Sequence, residues 1–513
     1  MTTGRQYRNP VLTGFFPDPS IIRVGEDYYM ANSTFEYFPG VVISHSRDLV
    51  HWEIIGHAFT KNEDLDLTGI EDSHGLWAPD ISYYQGTYYI FVTLRLNDMC
   101  GPDRRKIVHR QVIAKASRPE GPYSKPAFID HRGIDPSHFV DDDGTHYMLL
   151  SPGATLFKLN ADCTKIESGP VTIWPGTGER CPEGPHLFKH NGYYYVVLAE
   201  GGTGYGHRIT VARSRNLYGP YEPSPYNPVM RQTDPAAPIQ RTGHGKLVQT
   251  QNGDWWIVYL CGRPNGGPYT TLGRETALDP VQWTGDGWFT VNFGKGPSLI
   301  QTAPDLPETP YEEQFFDDFD GAQLALHWQF VRNPDPEGWS LTARPGHLRI
   351  LTGNGSLGSL DARNIIVRRE KHFQYSATTK LEFSPVCQGE EAGLVCYHGR
   401  HCFIKLFLTY DDGLKVKVVE NRNDQFTCLG EREVPAGPLY LKVSVNGQQR
   451  DFYFSLDREV WEHLGSVPDA SFLSNEGVKI GKHHTGTMVG IYAVNGGSGA
   501  RIPADFDWFD YSF

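Results

Sequence analysis

At 513 residues the chain is longer than one hydrophobic core normally serves, so two domains are expected. Aromatics make up 13% of it and glycine and proline are abundant, which favours many short strands joined by tight turns. The formal net charge of -13 argues against a nucleic-acid partner and against an anionic substrate; a neutral one fits better.

The opening stretch, Met1 to Asn9, is polar and lacks the apolar run of a signal peptide, and no stretch has the length and apolarity to span a bilayer. The eight cysteines (100, 163, 181, 261, 387, 396, 402 and 428) show neither CxxC pairs nor zinc spacing. Reduced, structural thiols in a cytoplasmic protein are the expectation, with no membrane partner.

From Pro19 to about residue 260 one pattern recurs: a strand opening near a proline, a glycine-centred turn, then an aromatic strand. The turns fall at Gly25, Gly86, Gly144, Gly192 and Gly253, and the aromatic strands begin near Tyr28, Tyr88, Tyr147, Tyr194 and Trp255. Asn-Gly and Asp-Gly between alternating apolar residues are strong hairpin signals. A spacing of roughly 50–60 residues belongs to propellers and arrays, and a blade of about four short strands fits it. Five units predict a five-bladed β-propeller over residues 1–300, with the first strand of each unit lining a central axis.

Residues 301–311 are Pro-rich and polar and read as a linker. Beyond them, alternation such as Leu414-Lys-Val-Lys-Val-Val and Leu439-Tyr-Leu-Lys-Val-Ser-Val predicts an antiparallel β-sandwich over 312–513. This domain carries no second set of paired acids, so its expected task is to support or cover the pocket.

Three units open on an acid beside a proline: Phe16-Pro17-Asp18-Pro19-Ser20, Gly133-Ile134-Asp135-Pro136-Ser137 and Cys181-Pro182-Glu183-Gly184-Pro185-His186. The residue before a proline is driven extended, which predicts a stiff backbone fixing each acid at the mouth of a strand. Taken singly, Asp-Pro and Glu-Gly-Pro are ordinary turns. The other two units hold Ala78 and Gly243-His244 there, so the acids are not a backbone requirement of the repeat. Glycoside hydrolysis by inversion needs a protonated carboxyl for the leaving oxygen and a carboxylate that activates water. Glu183 is the expected acid and Asp18 the expected base. Asp135 is expected to raise the pKa of the acid and to orient it.

The same residues carry a family resemblance. Asn9-Pro10-Val11-Leu12 with Phe16 to Ile21, and Ser33-Thr34-Phe35-Glu36-Tyr37-Phe38-Pro39-Gly40, resemble the opening of glycoside hydrolase family 43 and of its β-xylosidases. Trp77-Ala78-Pro79, the Asp135 and Glu183 motifs, Gly273-Arg274-Glu275-Thr276 and Asp505-Phe506-Asp507-Trp508-Phe509 extend the likeness over the whole chain. The resemblance implies an all-β enzyme, a five-bladed propeller followed by a concanavalin-like sandwich, inverting and exo-acting, with the three acids in the roles given. It implies substrate contacts from Phe35, Trp77, Arg274 and His244. His244 would face the axis beside water or a calcium ion; no cofactor is required for the chemistry, but a structural calcium has a place there. One departure stands out. Where these xylosidases commonly carry an aromatic ahead of a Thr-Gly pair on a sandwich loop, this chain has His483-His484-Thr485-Gly486. His484 therefore enters as a substrate-side residue that alters the lid.

The expected activity is a β-D-xylosidase releasing xylose from the non-reducing end of short xylo-oligosaccharides, with a homo-oligomer as one assembly option. An α-L-arabinofuranosidase, alone or as a side activity, is the close alternative. A non-catalytic carbohydrate-binding protein is the alternative of another class.

Overall fold

The computed structural model describes residues 4–97 and 108–513; Cys100 lies outside the described residues. Each predicted glycine turn closes an antiparallel hairpin, and each hairpin grows into a blade. Blade one is Ser20–Val24, Asp27–Asn32, Gly40–Ser46 and Glu53–Phe59, and blade two is Gly75–Tyr84, Thr87–Arg95, His109–Ala116 and Ala127–Asp130. Blade three runs Ile134–Val140, His146–Ser151, Ala154–Leu159 and Ile166–Trp174. Blade four is Glu183–His190, Tyr193–Glu200, Arg208–Ser214 and Glu222–Pro223, with Met230–Arg231 added beside its third strand. Blade five is Gln240–Gln249, Trp255–Gly262, Glu275–Trp283 and Phe289–Val291.

Apolar wedges separate neighbouring blades and explain why the repeats close. Val41 and Ile43 of blade one meet Ile81, Ile90 and Val92 of blade two. Phe91 and Ile113 meet Met148 and Leu150 across the next gap, and Leu149 meets Val196 and Leu198 across the third. Val197 and Ile209 pack on Ile257 and Tyr259, and the last wedge joins Trp256 and Val258 to Ile21 and Met30. Each buried Leu, Ile or Val is worth about 1.5–3 kcal/mol relative to exposure, so a missing blade would uncover two such wedges.

The ends of the propeller are tied by its own termini. Gln6–Arg8 pairs with Ile300–Thr302, and the Leu12 amide donates to the Thr276 carbonyl of blade five at 3.1 Å. Gln301 and Thr302, read from sequence as linker, are thus strand residues: Pro304 and the polar run behind them end the strand rather than prevent it. The rest of that segment is packed too. Leu306 is buried in the wedge between blades five and one, and the Thr309 amide donates to Asp48 Oδ2 at 2.9 Å.

The second domain is a sandwich of two antiparallel sheets around a core that includes Leu348, Leu381, Leu394, Ile404, Leu441 and Phe506. One sheet is ordered 339–340, 348–351, 503–512, 374–383, 439–446, 449–455, 462–467, with Phe316–Asp317 also on 503–512. The other is ordered 425–433, 414–422, 402–410, 391–399, 488–494, 365–369, 329–331, and ends on Tyr37–Phe38 of the propeller. Phe330 pairs with Phe38 and Val331 with Tyr37, so one sheet crosses from domain to domain. Phe15, Phe35 and Tyr37 bury their rings against Val331, Ile365, Phe403 and Tyr492 along this seam. Among the described residues no helix is long and apolar enough to cross a membrane.

Candidate active site

Each innermost strand carries a left-handed residue at or near the end that faces the cavity. These are Asp18 (φ 52°), Ala78 (φ 43°), Asp135 (φ 55°), Gly184 (φ 57°) and His244 (φ 47°). In blades two to five the strand register slips at this point, the mark of a bulge. The extended conformation expected before the prolines is therefore not what forms. A proline disfavours the right-handed region for its predecessor, and the bulge takes the left-handed one, turning the side chain toward the axis. A non-glycine residue there is strained by about 1–2 kcal/mol, a cost found where a site needs a side chain re-aimed. In blade four the slot holds Gly184, and Glu183 precedes it by one residue. A Cβ at 184 would lie 2.9 Å from His244 Nδ1, so glycine is required there and the acid stands one step back.

Asp18, Asp135 and Glu183 line one cavity of about 260 Å³ together with Phe35, Trp77, Arg274, His244 and His484. Asp18 is 4% exposed. Its Oδ1 accepts from an Arg274 NH1 at 2.8 Å and its Oδ2 from the Ser33 hydroxyl at 2.6 Å. Burial pushes its pKa up, but Arg274, His244, the Ser33 hydrogen bond and His484 together outweigh burial and hold it below the usual carboxylate value. Glu183 goes the other way. Burial first, then the Asp18 charge, raise its pKa to about 7 against Arg274 and Arg180. Asp135 accepts from the Gly184 amide at 2.9 Å, which ties it to the turn carrying Glu183. Burial, resisted by His244 and reinforced by the Glu183 and Asp18 charges, raises Asp135 to about 7 as well. One cavity thus holds a carboxylate kept ionised and two carboxyls that resist ionisation.

The opposite wall is a set of rings. Phe35 lies 6.0 Å from Trp77, and His484 lies 6.1 Å from Phe35 and 5.7 Å from Trp77, centroid to centroid. Trp77 is fixed by its indole N–H, which donates to the Ser73 carbonyl at 3.0 Å. His484 comes from the sandwich. Its amide donates to the Ser73 hydroxyl at 3.0 Å, and its carbonyl accepts from an Arg274 NH2 at 3.1 Å. Burial, then the charges of Arg274 and Lys482, lower its imidazole pKa to about 3, so it presents a neutral ring.

Residues 7–289 match the family described as Glycosyl hydrolases family 43, and residues 316–512 match the Beta xylosidase C-terminal Concanavalin A-like domain. The chain belongs to glycosyl hydrolase family 43. The family-43 protein BlXynB from Bacillus licheniformis shares 64% identity and superposes with a TM-score of 0.97, over 99% of this chain and 100% of that one. The xylan β-1,4-xylosidase from Bacillus halodurans shares 39% identity at a TM-score of 0.93, again over 99% and 100% of the two chains. A non-reducing end α-L-arabinofuranosidase, BoGH43B of Bacteroides ovatus, is 38% identical over 99% of this chain and 95% of its own.

Below the acids of this family-43 site lies a second tier, two residues further along each inner strand: Ser20, Asp80, Ser137, His186 and Lys246. Asp80, 1% exposed, takes the Lys246 ammonium at 2.5 Å, the Ser20 hydroxyl at 2.7 Å and the His138 amide at 2.8 Å. Lys246 also donates to the Ile81 carbonyl at 2.8 Å. Calcium asks for six to eight oxygens. Around His244 stand instead the rings of His186, 6.1 Å away, and of His207 on Gly243, while an ammonium already neutralises the carboxylate beneath. This donor set does not fit calcium.

Four polar residues in or beside the cavity were not singled out from sequence. Ser33 holds Asp18; Thr203, whose hydroxyl accepts from Arg274 at 3.2 Å, lines the cavity with Arg180 and His207. Ser33 sits in the Ser33-Thr34-Phe35 motif, which was its only signal. The other three lie on stretches without a repeat position to mark them.

Proposed function

We propose that this family-43 glycosidase is an inverting, exo-acting β-D-xylosidase that removes xylose from the non-reducing end of short xylo-oligosaccharides. The observation that carries the reading is the convergence of Asp18, Asp135 and Glu183 on one small cavity, with Asp18 paired to Arg274 and Ser33 and Glu183 lacking such a partner; the opposed pKa shifts of Asp18 and Glu183 agree with it. Glu183, protonated near neutrality, donates to the glycosidic oxygen as the bond to the anomeric carbon breaks. Asp18, ionised and locked by Arg274 and Ser33, accepts a proton from the water that attacks that carbon from the opposite face. Asp135 touches the Gly184 amide and keeps the Glu183 turn in place. Phe35 and Trp77 offer flat apolar faces to the C–H side of a pyranose without a hydroxymethyl arm. The solved β-1,4-xylosidase relative supports xylose, and the net negative charge agrees with a neutral oligosaccharide.

The Bacteroides ovatus relative keeps α-L-arabinofuranosidase activity as the second reading, since the two sugars offer similar hydroxyl positions to a compact pocket. Side-by-side kcat/KM on nitrophenyl β-D-xylopyranoside and α-L-arabinofuranoside separates them; a strong preference for the arabinoside overturns the first. Proton NMR of the first xylose released from xylobiose should show the α-anomer. The β-anomer would remove the inverting mechanism.

A further inference from the structure

Where blade one, the 303–314 strap and the sandwich meet, three cationic side chains converge on a small recess. Arg368, Arg369 and Lys371 line it with His327 and one carboxylate, Glu313, over an apolar side formed by Phe16 and Ile54. The recess has a volume of about 10 Å³ and adjoins an outer cavity of about 200 Å³ whose mouth carries Glu53 and Tyr311.

The charges do not balance. Glu313 pairs with Lys371 and lies 3.6 Å from Arg368. Glu370, between the cations in sequence, is fully engaged by Arg450 at 2.8 and 3.0 Å. Asp317 acts on Arg368 only at a distance, its oxygens being taken by the Trp328 indole and the Phe319 amide. Arg369 donates its Nε to the Phe15 carbonyl at 2.6 Å and stacks 4.2 Å over Phe16, but its NH2, fully buried, meets no protein acceptor. Burial lowers the pKa of all three cations, Arg369 to about 10, and His57 and His327 are held neutral by burial and by the same cations. A buried guanidinium is tolerated when it is paired and hydrogen-bonded, and this one lacks half of that.

We propose that the recess is a binding site for a single small monatomic anion such as chloride, held by Arg369 and Lys371. The small volume sets an upper bound: it leaves space for a monatomic ion at most and excludes phosphate, sulfate and carboxylates. The sign follows from three cations facing one carboxylate. Through Arg369 the ion braces Phe15 and Phe16, the segment that leads into Asp18.

Bromide replaces chloride and scatters anomalously. Crystals of the full chain soaked in sodium bromide should show an anomalous peak in the recess. In solution the unfolding midpoint should rise saturably with chloride or bromide, against gluconate at equal ionic strength, by about 1–3 °C at ten times Kd. Arg369→Met and Lys371→Met should each abolish that rise; if the first does not fold, the second, nearer the outer cavity, decides. A recess without bromide, or an undiminished halide response in the Lys371→Met protein, overturns the proposal.

Discussion

Two tiers of the propeller axis, two residues apart on the same five strands, use buried charge in opposite ways. In the lower tier Asp80 is surrounded by an ammonium, a hydroxyl and an amide, and its negative charge is spent on holding blades one, two, three and five together. In the upper tier Asp18 is similarly satisfied, but Glu183 and Asp135 are left with too little positive charge and resist ionisation. The same five strands give an anchor at one level and, at the next, carboxyls that resist ionisation. What distinguishes chemistry from architecture here is the deficit of partners.

Substitution in the upper tier should cost rate with little loss of stability. Asp18→Asn should reduce turnover of xylobiose and of nitrophenyl xyloside alike by at least about 10²–10⁴-fold, with a thermal midpoint near that of the parent. Glu183→Gln should reduce xylobiose turnover by about the same factor but spare nitrophenyl xyloside, whose leaving group needs little protonation. Equal losses on both substrates would remove Glu183 as the acid. The lower tier should respond in the opposite sense. Lys246→Met strands a buried carboxylate and should destabilise the fold by roughly 3–5 kcal/mol, read as a lower denaturation midpoint, while kcat on xylobiose per folded molecule stays within a fewfold. A stable but inactive Lys246→Met protein would break the distinction between tiers.

The pH profile sharpens it further. As the proposed acid, Glu183 would work only while protonated, so kcat/KM should hold below about 7 and fall tenfold per unit as pH rises above it. As the proposed base, Asp18 would work only while ionised, so the acid limb should lie below the ordinary carboxylate range. An alkaline limb near 5 would mean that Glu183 is not the residue titrating. The smallest effect expected is none: chelation with EDTA should leave kcat/KM and the midpoint unchanged, because Lys246 supplies the positive charge next to Asp80.

The five hairpins, the blade count and the three acids were legible because each is a local signal: Gly192 or Gly253 between strands, a proline beside Asp18. The left-handed turn at those prolines was not, since it is imposed by the bulge and by the crowding of strands around the axis. Lys246 reads in sequence as an ordinary strand lysine; only closure of the ring brings it to Asp80, 166 residues away. The role of Ser33 in holding Asp18 and the contact of Arg274 with the His484 carbonyl are likewise long-range. So is the pairing of Tyr37–Phe38 with 330–331, which no alternation pattern in either segment announces.

That last pairing has a practical corollary for anyone dissecting the enzyme. Phe35, on the wall of the cavity that holds the three acids, lies two residues from a strand that completes the other domain's sheet. Separate expression of the halves would bare the hydrogen-bonding edge of Gln329–Val331 on one fragment and the rings of Phe15 and Tyr37 on the other. Such edges recruit foreign chains, so the fragments should clump instead of working as modules.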